Sequence, residues 1–260
     1  MIFIVEKSEK KVAIVSGASG GLGSKIVESL RREDYIVAGC SAQKREDAGD
    51  ADHWRHFDLT NEILTRRFVA QVLEKFKRID LLINCVGYIT AAAPFEKTSV
   101  ADMKRIFDVN VCGPAYLMQE VLPIFKAQNS GVIINVSSKS GVYNTPNLAA
   151  YSGSKSAIIA ITQSVAKELI GAGSDVKCFT ASPAGIKTKM RAKSLGEGAM
   201  ANQQNPGIVA EIIVEMAVKG TVAESGRLIK LPNGANVIIK NHNANVREML
   251  DDKVPQRVAD

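Results

Sequence analysis

Short apolar runs rich in β-branched residues alternate along the chain with longer stretches in which apolar residues recur every three or four positions. The short runs predict buried strands at Val12–Val15, Tyr35–Cys40, Trp54–Phe57, Asp80–Cys85, Val132–Val136, Val176–Thr180 and Leu228–Leu231. The longer stretches predict helices at Leu22–Arg32, Asn61–Lys77, Val100–Lys126, Ala149–Ile170 and Pro206–Lys219. This alternation indicates a doubly wound α/β fold, in which helices cover both faces of a central parallel sheet of about seven strands.

The chain of 260 residues contains no linker rich in Pro, Gly or Ser, so we expect a single domain over residues 1–260. Two segments differ from the rest. Residues 187–205 are weakly patterned and rich in Lys, Ala, Gly, Ser and Gln, and we expect them to form a mobile substrate lid. Residues 237–260 lie past the last predicted strand, as a C-terminal extension that either wraps a neighbouring subunit or is a frayed end.

Composition and charge exclude several classes of protein. The apolar runs are far shorter than the roughly 20 residues that a membrane span needs, and the N-terminus lacks a signal-peptide pattern. The formal net charge is +6, but the basic residues are scattered among acids, which favours a solvated basic surface over nucleic-acid binding. The four cysteines and three histidines lack metal-ligand spacing, so we expect reduced thiols, no metal and a cytoplasmic location.

A glycine-rich turn, Ser16–Gly23, follows the first predicted strand and leads into the first predicted helix. Glycines allow a tight turn and a close approach of the backbone to a pyrophosphate, and a helix N-terminus favours negative charge. Gly17, Gly21 and Gly23 supply that pattern. A glycine-rich loop without a ligand is the alternative, but the position between a strand and a helix favours a nucleotide.

Tyr151 and Lys155 lie four residues apart, on one face of the predicted helix Ala149–Ile170. Such a pair can be a solvated helix face. It also suits general acid/base chemistry, because a nearby cation favours phenolate and lowers a tyrosine pKa from about 10 towards the working pH. Ser137 and Ser138 follow the strand Val132–Val136, which predicts hydroxyls at the carboxyl edge of the sheet, where such folds bind ligands.

These motifs together resemble the short-chain dehydrogenase/reductase family. The family's glycine spacing is matched at Gly17, Gly21 and Gly23, and its serine-to-tyrosine spacing is matched by the thirteen positions from Ser138 to Tyr151. Three further segments resemble family motifs: Asn110 in a helix interior, Asn84–Gly87 after a strand, and Ser182–Thr188 after another strand. Cys85, Val86 and Ala184 depart from the family's usual residues.

The resemblance implies a Rossmann-type domain and an NAD(P)-dependent oxidoreductase that reduces a carbonyl, or oxidises the matching secondary alcohol, by hydride transfer. Tyr151 is then the general acid/base, Ser138 binds the substrate oxygen, Lys155 keeps the tyrosine acidic, and Asn110 fixes a water that relays protons. The implied cofactor contacts are Ser16, Gly17, Ser19, Gly21, Leu22, Gly23, Ser41, Lys44, Arg45, Asp58, Leu59, Asn84, Val86, Gly87, Tyr151, Lys155, Pro183, Ile186 and Thr188. A homodimer or homotetramer is also implied.

The choice between NADP(H) and NAD(H) depends on the end of the second predicted strand. NAD-specific members of the family carry an acid there, and this chain has Ser41. Lys44 and Arg45 follow and could bind the extra phosphate, although neighbouring acids could pair with them instead, so we expect NADP(H) rather than NAD(H). Asp58 resembles the family's aspartate beside the adenine, or else caps the following helix.

Two other functions remain open, because a fold does not establish a function. One is a non-catalytic NADP(H) sensor, which would not need the four predicted catalytic residues together. The other is a nucleotide-sugar epimerase or dehydratase, for which the chain beyond Lys219 offers little substrate domain. A sugar, a ketone or an acyl thioester is an equally acceptable substrate, and Lys187, Lys189 and Arg191 of the predicted lid favour an anionic one.

Overall fold

The computed structural model describes residues 9–42, 51–196, 203–224, 227–231, 233–239 and 248–250. The strands in these ranges are β1 Val12–Ser16, β2 Ile36–Ser41, β3 His53–His56, β4 Leu81–Asn84, β5 Val132–Val136, β6 Lys177–Pro183, β7 Thr221–Glu224, β8 Arg227–Lys230, β9 Asn236–Ile239 and β10 Glu248–Leu250. The helices are α1 Gly23–Arg32, α2 Glu62–Phe76, α3 Val100–Phe107, α4 Gly113–Gln128, α5 Ser140–Tyr143, α6 Ala149–Gly171, α7 Lys189–Leu195 and α8 Pro206–Lys219.

The central sheet has the order β3-β2-β1-β4-β5-β6-β9, with these strands parallel and β10 added antiparallel to β9. Apolar side chains of α1 and α8 pack on one face, and those of α2, α4 and α6 pack on the other. The strands are buried on both faces because helices cover both, which is why their sequences are nearly continuous apolar runs. The predicted doubly wound α/β fold is confirmed.

The last strand of the parallel sheet is not the one that the sequence predicted. The predicted run Leu228–Leu231 corresponds to β8, which pairs antiparallel with β7 in a separate two-stranded sheet. The seventh parallel strand is β9, which pairs with β6 in the register Ala181↔Val237. Both runs are short and apolar, so only the pairing with β6 distinguishes them. The segment 237–260, predicted as an extension, therefore begins inside a strand of the sheet.

The predicted helix Val100–Lys126 is interrupted. A π-helical turn at Asp108–Cys112 separates α3 from α4, and Asn110 lies within this turn. A π turn inserts an extra residue into a helix and is frequent at functional sites. Apolar residues keep a helical spacing across the π turn, so the sequence pattern does not reveal the inserted residue.

Part of the predicted lid, residues 187–205, is regular. It contains α7, and a parallel bridge between Ile186 and Gln204 joins the two ends of the segment. None of the helices in the described ranges has the length and apolar character that a membrane span requires.

Candidate active site

Four strands of the sheet end beside one another and carry the predicted site residues on the segments that follow them. The glycine-rich turn follows β1, Cys85–Gly87 follow β4, Ser137–Ser138 follow β5, and Ala184–Thr188 follow β6. In this sheet the chain runs outwards from β1 to β3 and then returns to β4 on the other side of β1. The site therefore lies at the topological switch point, where open α/β sheets bind their ligands.

The glycine-rich turn is packed too tightly for side chains at two of its glycines. Gly17 has a φ of +66°, and a Cβ there would lie 2.9 Å from the carbonyl oxygen of Cys85 and from Cα of Val86. A Cβ on Gly23 would lie 2.1 Å from the carbonyl oxygen of Gly17. Both contacts are with backbone, which cannot move aside without opening the turn.

The first turn of α1 is suited to an anion. The helix begins without a hydrogen bond from a capping side chain, and its first turn contains no acidic residue. Leu22, which precedes it, is only 7% exposed and packs in the core beside Ile26. The side chain of Leu22 thus anchors the turn, and the backbone N–H groups at the helix N-terminus can bind negative charge.

Replacing Gly23 with alanine is expected to weaken binding of NADPH by at least about tenfold and to lower the free energy of unfolding by about 1–3 kcal/mol, the usual effect of overpacking. The added Cβ displaces the Gly17 carbonyl and opens the turn. Fluorescence titration and urea unfolding measure the two effects. Gly171→Ala is the control, because nothing lies within 4 Å of a Cβ at that position. Unchanged affinity in Gly23→Ala would contradict a role of this turn in cofactor binding.

Two serines connect the glycine-rich turn to the end of β2. The hydroxyl of Ser19 donates a hydrogen bond of 2.7 Å to that of Ser41, the last residue of the strand. The predicted contacts Lys44 and Arg45 lie outside the described residues. Because Ser41 ends β2, it occupies the position where a carboxylate would be expected in an NAD-specific protein.

Ser16 and Asn84 belong to a polar row that crosses the sheet. Asn84 accepts a hydrogen bond of 3.2 Å from Ser16 Oγ and donates one of 2.9 Å to Asn135 Oδ1. Asn135 in turn donates to Thr162 Oγ1 of α6 at 2.8 Å. Ser16 is 0% exposed and Asn84 is 2% exposed. These side chains hold together the strand ends beneath the site, and their contact with a cofactor stays a prediction.

Ser138, Tyr151 and Lys155 converge at the end of β5. The side chain of Ser138, which is half-buried, lies near the Tyr151 hydroxyl. The ammonium of Lys155 donates to the Val136 carbonyl oxygen at 3.0 Å and lies 5.9 Å from the centroid of the Tyr151 ring. Lys155 is only 4% exposed and Tyr151 only 9%. The predicted four-residue spacing therefore places both groups in one buried site and not on a solvated helix face.

Side-chain hydrogen bonds fix α6 against β5 and α5. Ser137 Oγ donates to the Lys155 carbonyl oxygen at 2.7 Å, and Ser156 Oγ donates to the Gly141 carbonyl oxygen at 2.7 Å. A Cβ on Gly141 would lie 2.6 Å from the backbone of Lys155, so α5 approaches α6 closely only because this residue is glycine. No sequence pattern predicted that Gly141 and Ser156 hold α6 in place at the site.

Burial changes the pKa values of both groups. It raises the pKa of Tyr151, against the opposing effects of the hydrogen bond with Ser138 and the charge of Arg191. It lowers the pKa of Lys155 to about 8. The prediction that a neighbouring lysine brings the tyrosine pKa below its ordinary value was wrong for the protein alone, because desolvation of the phenolate outweighs the favourable charges.

Asn110 joins the π turn to two other segments of the site. Its Oδ1 accepts from the backbone N–H of Tyr88 at 2.7 Å, and its Nδ2 donates to the Tyr88 carbonyl at 2.9 Å and to Ser154 Oγ at 3.0 Å. Ser154 Oγ donates in turn to the carbonyl oxygen of Tyr151. Two hydrogen bonds in series, through Ser154, therefore connect Asn110 to the backbone of Tyr151, and the role of Asn110 in holding a water stays a prediction.

Asp58 forms an ion pair that the sequence did not predict. Arg105 donates to its Oδ2 at 2.6 Å, and Thr60 N–H donates to its Oδ1 at 3.0 Å. Although partial burial raises the pKa of Asp58, these hydrogen bonds hold it below its usual range. The alternative in which Asp58 caps the next helix was wrong, because Asn61 caps α2 by accepting from the N–H of Leu64. The neighbouring Leu59 is 3% exposed and packs in the core.

The segment after β6 leads α7 across the site. Pro183 is the buried end of β6, and Thr188 is the N-cap of α7. A Cβ on Gly21 would lie 3.1 Å from the methyl group of Thr188, so the glycine-rich turn and this segment are in contact. A Cβ on Gly87 would lie 3.7 Å from the sulfur of Met190 and 4.0 Å from Nζ of Lys155. Predicted cofactor and catalytic residues from four segments are thus brought together.

Comparisons with known proteins agree with this geometry. A family model described as short chain dehydrogenase matches residues 11–197. An uncharacterized oxidoreductase of Staphylococcus saprophyticus is 31% identical over 77% of this chain and 94% of its own length. A 3-oxoacyl-[acyl-carrier-protein] reductase of Thermotoga maritima is 28% identical over 87% of this chain and 98% of its own.

The fold is also that of solved structures. The crystal structure of a 3-ketoacyl-(acyl-carrier-protein) reductase from Brucella melitensis, complexed with NADH, superposes with a TM-score of 0.77 at 22% identity. The superposition covers 89% of this chain and 97% of that one. The family model spans the glycine-rich turn, the polar row and the Ser138, Tyr151 and Lys155 cluster. The chain therefore belongs to the short-chain dehydrogenase family of oxidoreductases.

Proposed function

We propose that the protein is an NAD(P)-dependent oxidoreductase that reduces a carbonyl group, or oxidises the matching secondary alcohol, with Tyr151 as general acid/base. The observation that supports this most is the convergence of Ser138, Tyr151 and Lys155 in a buried site beside the glycine-rich turn. A binding module would need the turn, but it would not need a buried ammonium next to a buried phenol.

The described residues fit a nicotinamide dinucleotide. Gly17 and Gly23 allow the turn to close tightly, because a Cβ at either position would clash with backbone, and the first turn of α1 contains no acidic residue. Gly87 and Thr188 lie near Lys155 and Gly21 respectively, and would hold the nicotinamide end. When bound, the dinucleotide supplies or accepts the hydride.

The protein's own residues would handle the proton. In reduction, Tyr151 donates its phenolic proton to the substrate oxygen as that oxygen gains negative charge. Ser138 binds the same oxygen and fixes its orientation, since its side chain lies near the Tyr151 hydroxyl. The positive charge of Lys155 favours the phenolate that remains, and Asn110 holds the helical segments in place behind it. In oxidation these roles reverse.

NADP(H) is the proposed cofactor in preference to NAD(H). Ser41 supports this choice because the residue that ends β2 is not a carboxylate, which would repel a phosphate at that position. Fluorescence titration with NADPH and NADH tests it, and we expect the wild-type protein to bind NADPH more tightly. Ser41→Asp should reduce the ratio of NADPH to NADH affinity by at least about tenfold, through repulsion between like charges. A wild-type preference for NADH would contradict the proposal.

A reductase screen over sugars, ketones and acyl thioesters tests the activity itself. Acyl thioesters are included because the Thermotoga relative is a 3-oxoacyl-[acyl-carrier-protein] reductase. Binding of NADPH with turnover of any of these carbonyls would support the proposal. Binding without turnover across the whole panel would favour a dinucleotide sensor, and no binding of either dinucleotide would contradict both.

A further inference from the structure

We infer that Arg191 forms a binding subsite for an anionic group, a carboxylate or a phosphate, on the carbonyl substrate. The inference rests on the proposed reductase activity and narrows its substrate to acids and phosphate esters. It follows from the position of the guanidinium, from the lack of an anionic partner for it among the described residues, and from the charge of the segment around it.

The guanidinium of Arg191 lies against the turn that follows β6. A Cβ on Gly185 would lie 1.7 Å from Oε1 of Gln203 and 2.8 Å from both Cζ and Nε of Arg191, so both side chains pack against this turn because residue 185 is glycine. The preceding residue, Met190, lies over Gly87, close to Lys155. Because α7 begins at Lys189, its first turn is directed across the site and brings Arg191 with it.

Arg191 has no anionic partner among the described residues. Within the described ranges, its buried Nε has no hydrogen-bond partner and no carboxylate forms an ion pair with it. By contrast, Arg78 pairs with Asp80 at 2.7 Å and Arg105 pairs with Asp58 at 2.6 Å. A buried guanidinium N–H without an acceptor is costly, and an anionic ligand would satisfy it.

The charge of Arg191 is exerted at the reacting hydroxyl. It is one of the two influences that lower the pKa of Tyr151 against the effect of burial. Residues 184–196 contain three lysines and this arginine but no Asp or Glu, so the segment has no acid of its own to neutralise the guanidinium. A substrate whose carbonyl oxygen contacts Tyr151 therefore meets a positive charge beside it.

An anionic oxygen at Arg191 has two possible sources, the substrate or the diphosphate of the dinucleotide. The two are separated by comparing substrates that differ only in charge. Suitable pairs are acetoacetate with methyl acetoacetate, 2-oxobutanoate with its methyl ester, and dihydroxyacetone phosphate with dihydroxyacetone. Since removal of Arg191 also affects Tyr151, the useful quantity is the ratio of kcat/KM for the anionic and neutral members of a pair, in which that shared effect cancels.

We expect the wild-type protein to prefer the anionic member of at least one pair by about tenfold or more, as a charge-assisted hydrogen bond to arginine allows. Arg191→Gln should lower that ratio by about tenfold or more, so that the preference is lost, because one partner of a buried charge pair is removed. Arg191→Lys should retain part of the preference. Lys193→Gln is the matched control, because Lys193 is an exposed cation on the same helix, and it should leave the ratio unchanged.

Two results would overturn the inference. In the first, the wild-type protein shows no preference for the anionic member of any pair. In the second, Arg191→Gln raises the Kd for NADPH and lowers kcat/KM for both members of a pair equally, which would assign the anion to the dinucleotide. An unchanged Kd for NADPH together with a lost preference supports a substrate subsite.

A binding measurement separates this inference from the proposed activity. The melting temperature is recorded with malonate and with malonamide at constant ionic strength, in the wild-type protein and in Arg191→Gln. If no carbonyl is turned over but malonate alone stabilises the wild-type protein and not the variant, the activity fails and the anion subsite stands. If there is neither turnover nor stabilisation by malonate, both fail.

Discussion

Replacing Tyr151 with phenylalanine is expected to lower kcat by at least about 100-fold, the lower end of the range for a general acid/base. The substitution removes the phenolic hydroxyl, which lies near Ser138, but keeps the ring, and Tyr151 is only 9% exposed. The unfolding free energy should change by less than about 1.5 kcal/mol, the value of one ordinary hydrogen bond. Steady-state kinetics with the carbonyl found in the screen measures the effect.

Tyr35→Phe is the matched control for this experiment. Tyr35 is also 9% exposed, but it precedes β2 at the opposite end of the sheet from the site. Its substitution should leave kcat unchanged, so a general effect of removing a buried tyrosine hydroxyl can be separated from catalysis. Near-normal turnover in Tyr151→Phe would exclude Tyr151 as the proton donor, whatever the control shows.

Replacing Lys155 with methionine is expected to abolish most of the activity while making the protein more stable at pH 7. Activity should fall by about 100-fold or more, because the cation that favours the Tyr151 phenolate is lost. Burial lowers the pKa of Lys155 from its ordinary 10.5 to about 8, so burying the charged ammonium costs about 3 kcal/mol of folding free energy at pH 7. The substitution removes this cost, which is a gain in stability. Loss of the hydrogen bond to the Val136 carbonyl offsets about 1–2 kcal/mol of that gain.

The stability effect of Lys155 has a defined pH dependence. The folded-state pKa is lower than the unfolded-state value, so between about pH 8 and 10.5 the unfolded chain binds more protons at this site than the folded protein. The stabilising contribution of neutral Lys155 is present above pH 10.5 and is lost as the pH falls to about 8. Urea unfolding at several pH values should therefore show that the stability advantage of Lys155→Met over the wild-type protein becomes smaller as the pH rises from about 8 to 10.5.

Lys167→Met is the control for the lysine substitution. Lys167 lies on α6 like Lys155, but its side chain is exposed, so its removal should change neither turnover nor the pH dependence of unfolding. A Lys155→Met protein that keeps full activity would contradict the proposed role of the ammonium. One that is less stable than wild type at pH 7, and equally so at pH 10, would show that burial of the charge is not what destabilises this site.

The fold class and most of the candidate site could be predicted from the sequence alone. The strand–turn–helix order around Gly17 and Gly23 follows from short-range constraints, since glycines are needed where the backbone turns tightly before a helix. The spacing of Tyr151 and Lys155 places them on one helical face wherever that helix packs. Ser138 follows a buried strand, so its position at the carboxyl edge is fixed once the strands are parallel.

Two features could be determined only from the tertiary structure: which short apolar run forms the last parallel strand of the sheet, and where the long helix is interrupted. Leu228–Leu231 and β9 have similar composition, and the pairing of β9 with β6 separates them. The π turn at Asp108–Cys112 coincides with hydrogen bonds between Asn110 and residues far away in the chain. Contacts between residues far apart in the sequence determine both features, and the local spacing of apolar residues does not predict such contacts.

The electrostatics of the site also depended on the tertiary structure. The pKa of Tyr151 is raised and not lowered, because its burial is a property of the packed molecule. Arg191 is distant from Tyr151 in the sequence, and only the turn at Gly185 and the start of α7 bring its charge to the phenol. The spacing in the sequence thus identified the proposed reacting groups, whereas desolvation and long-range contacts set their pKa values.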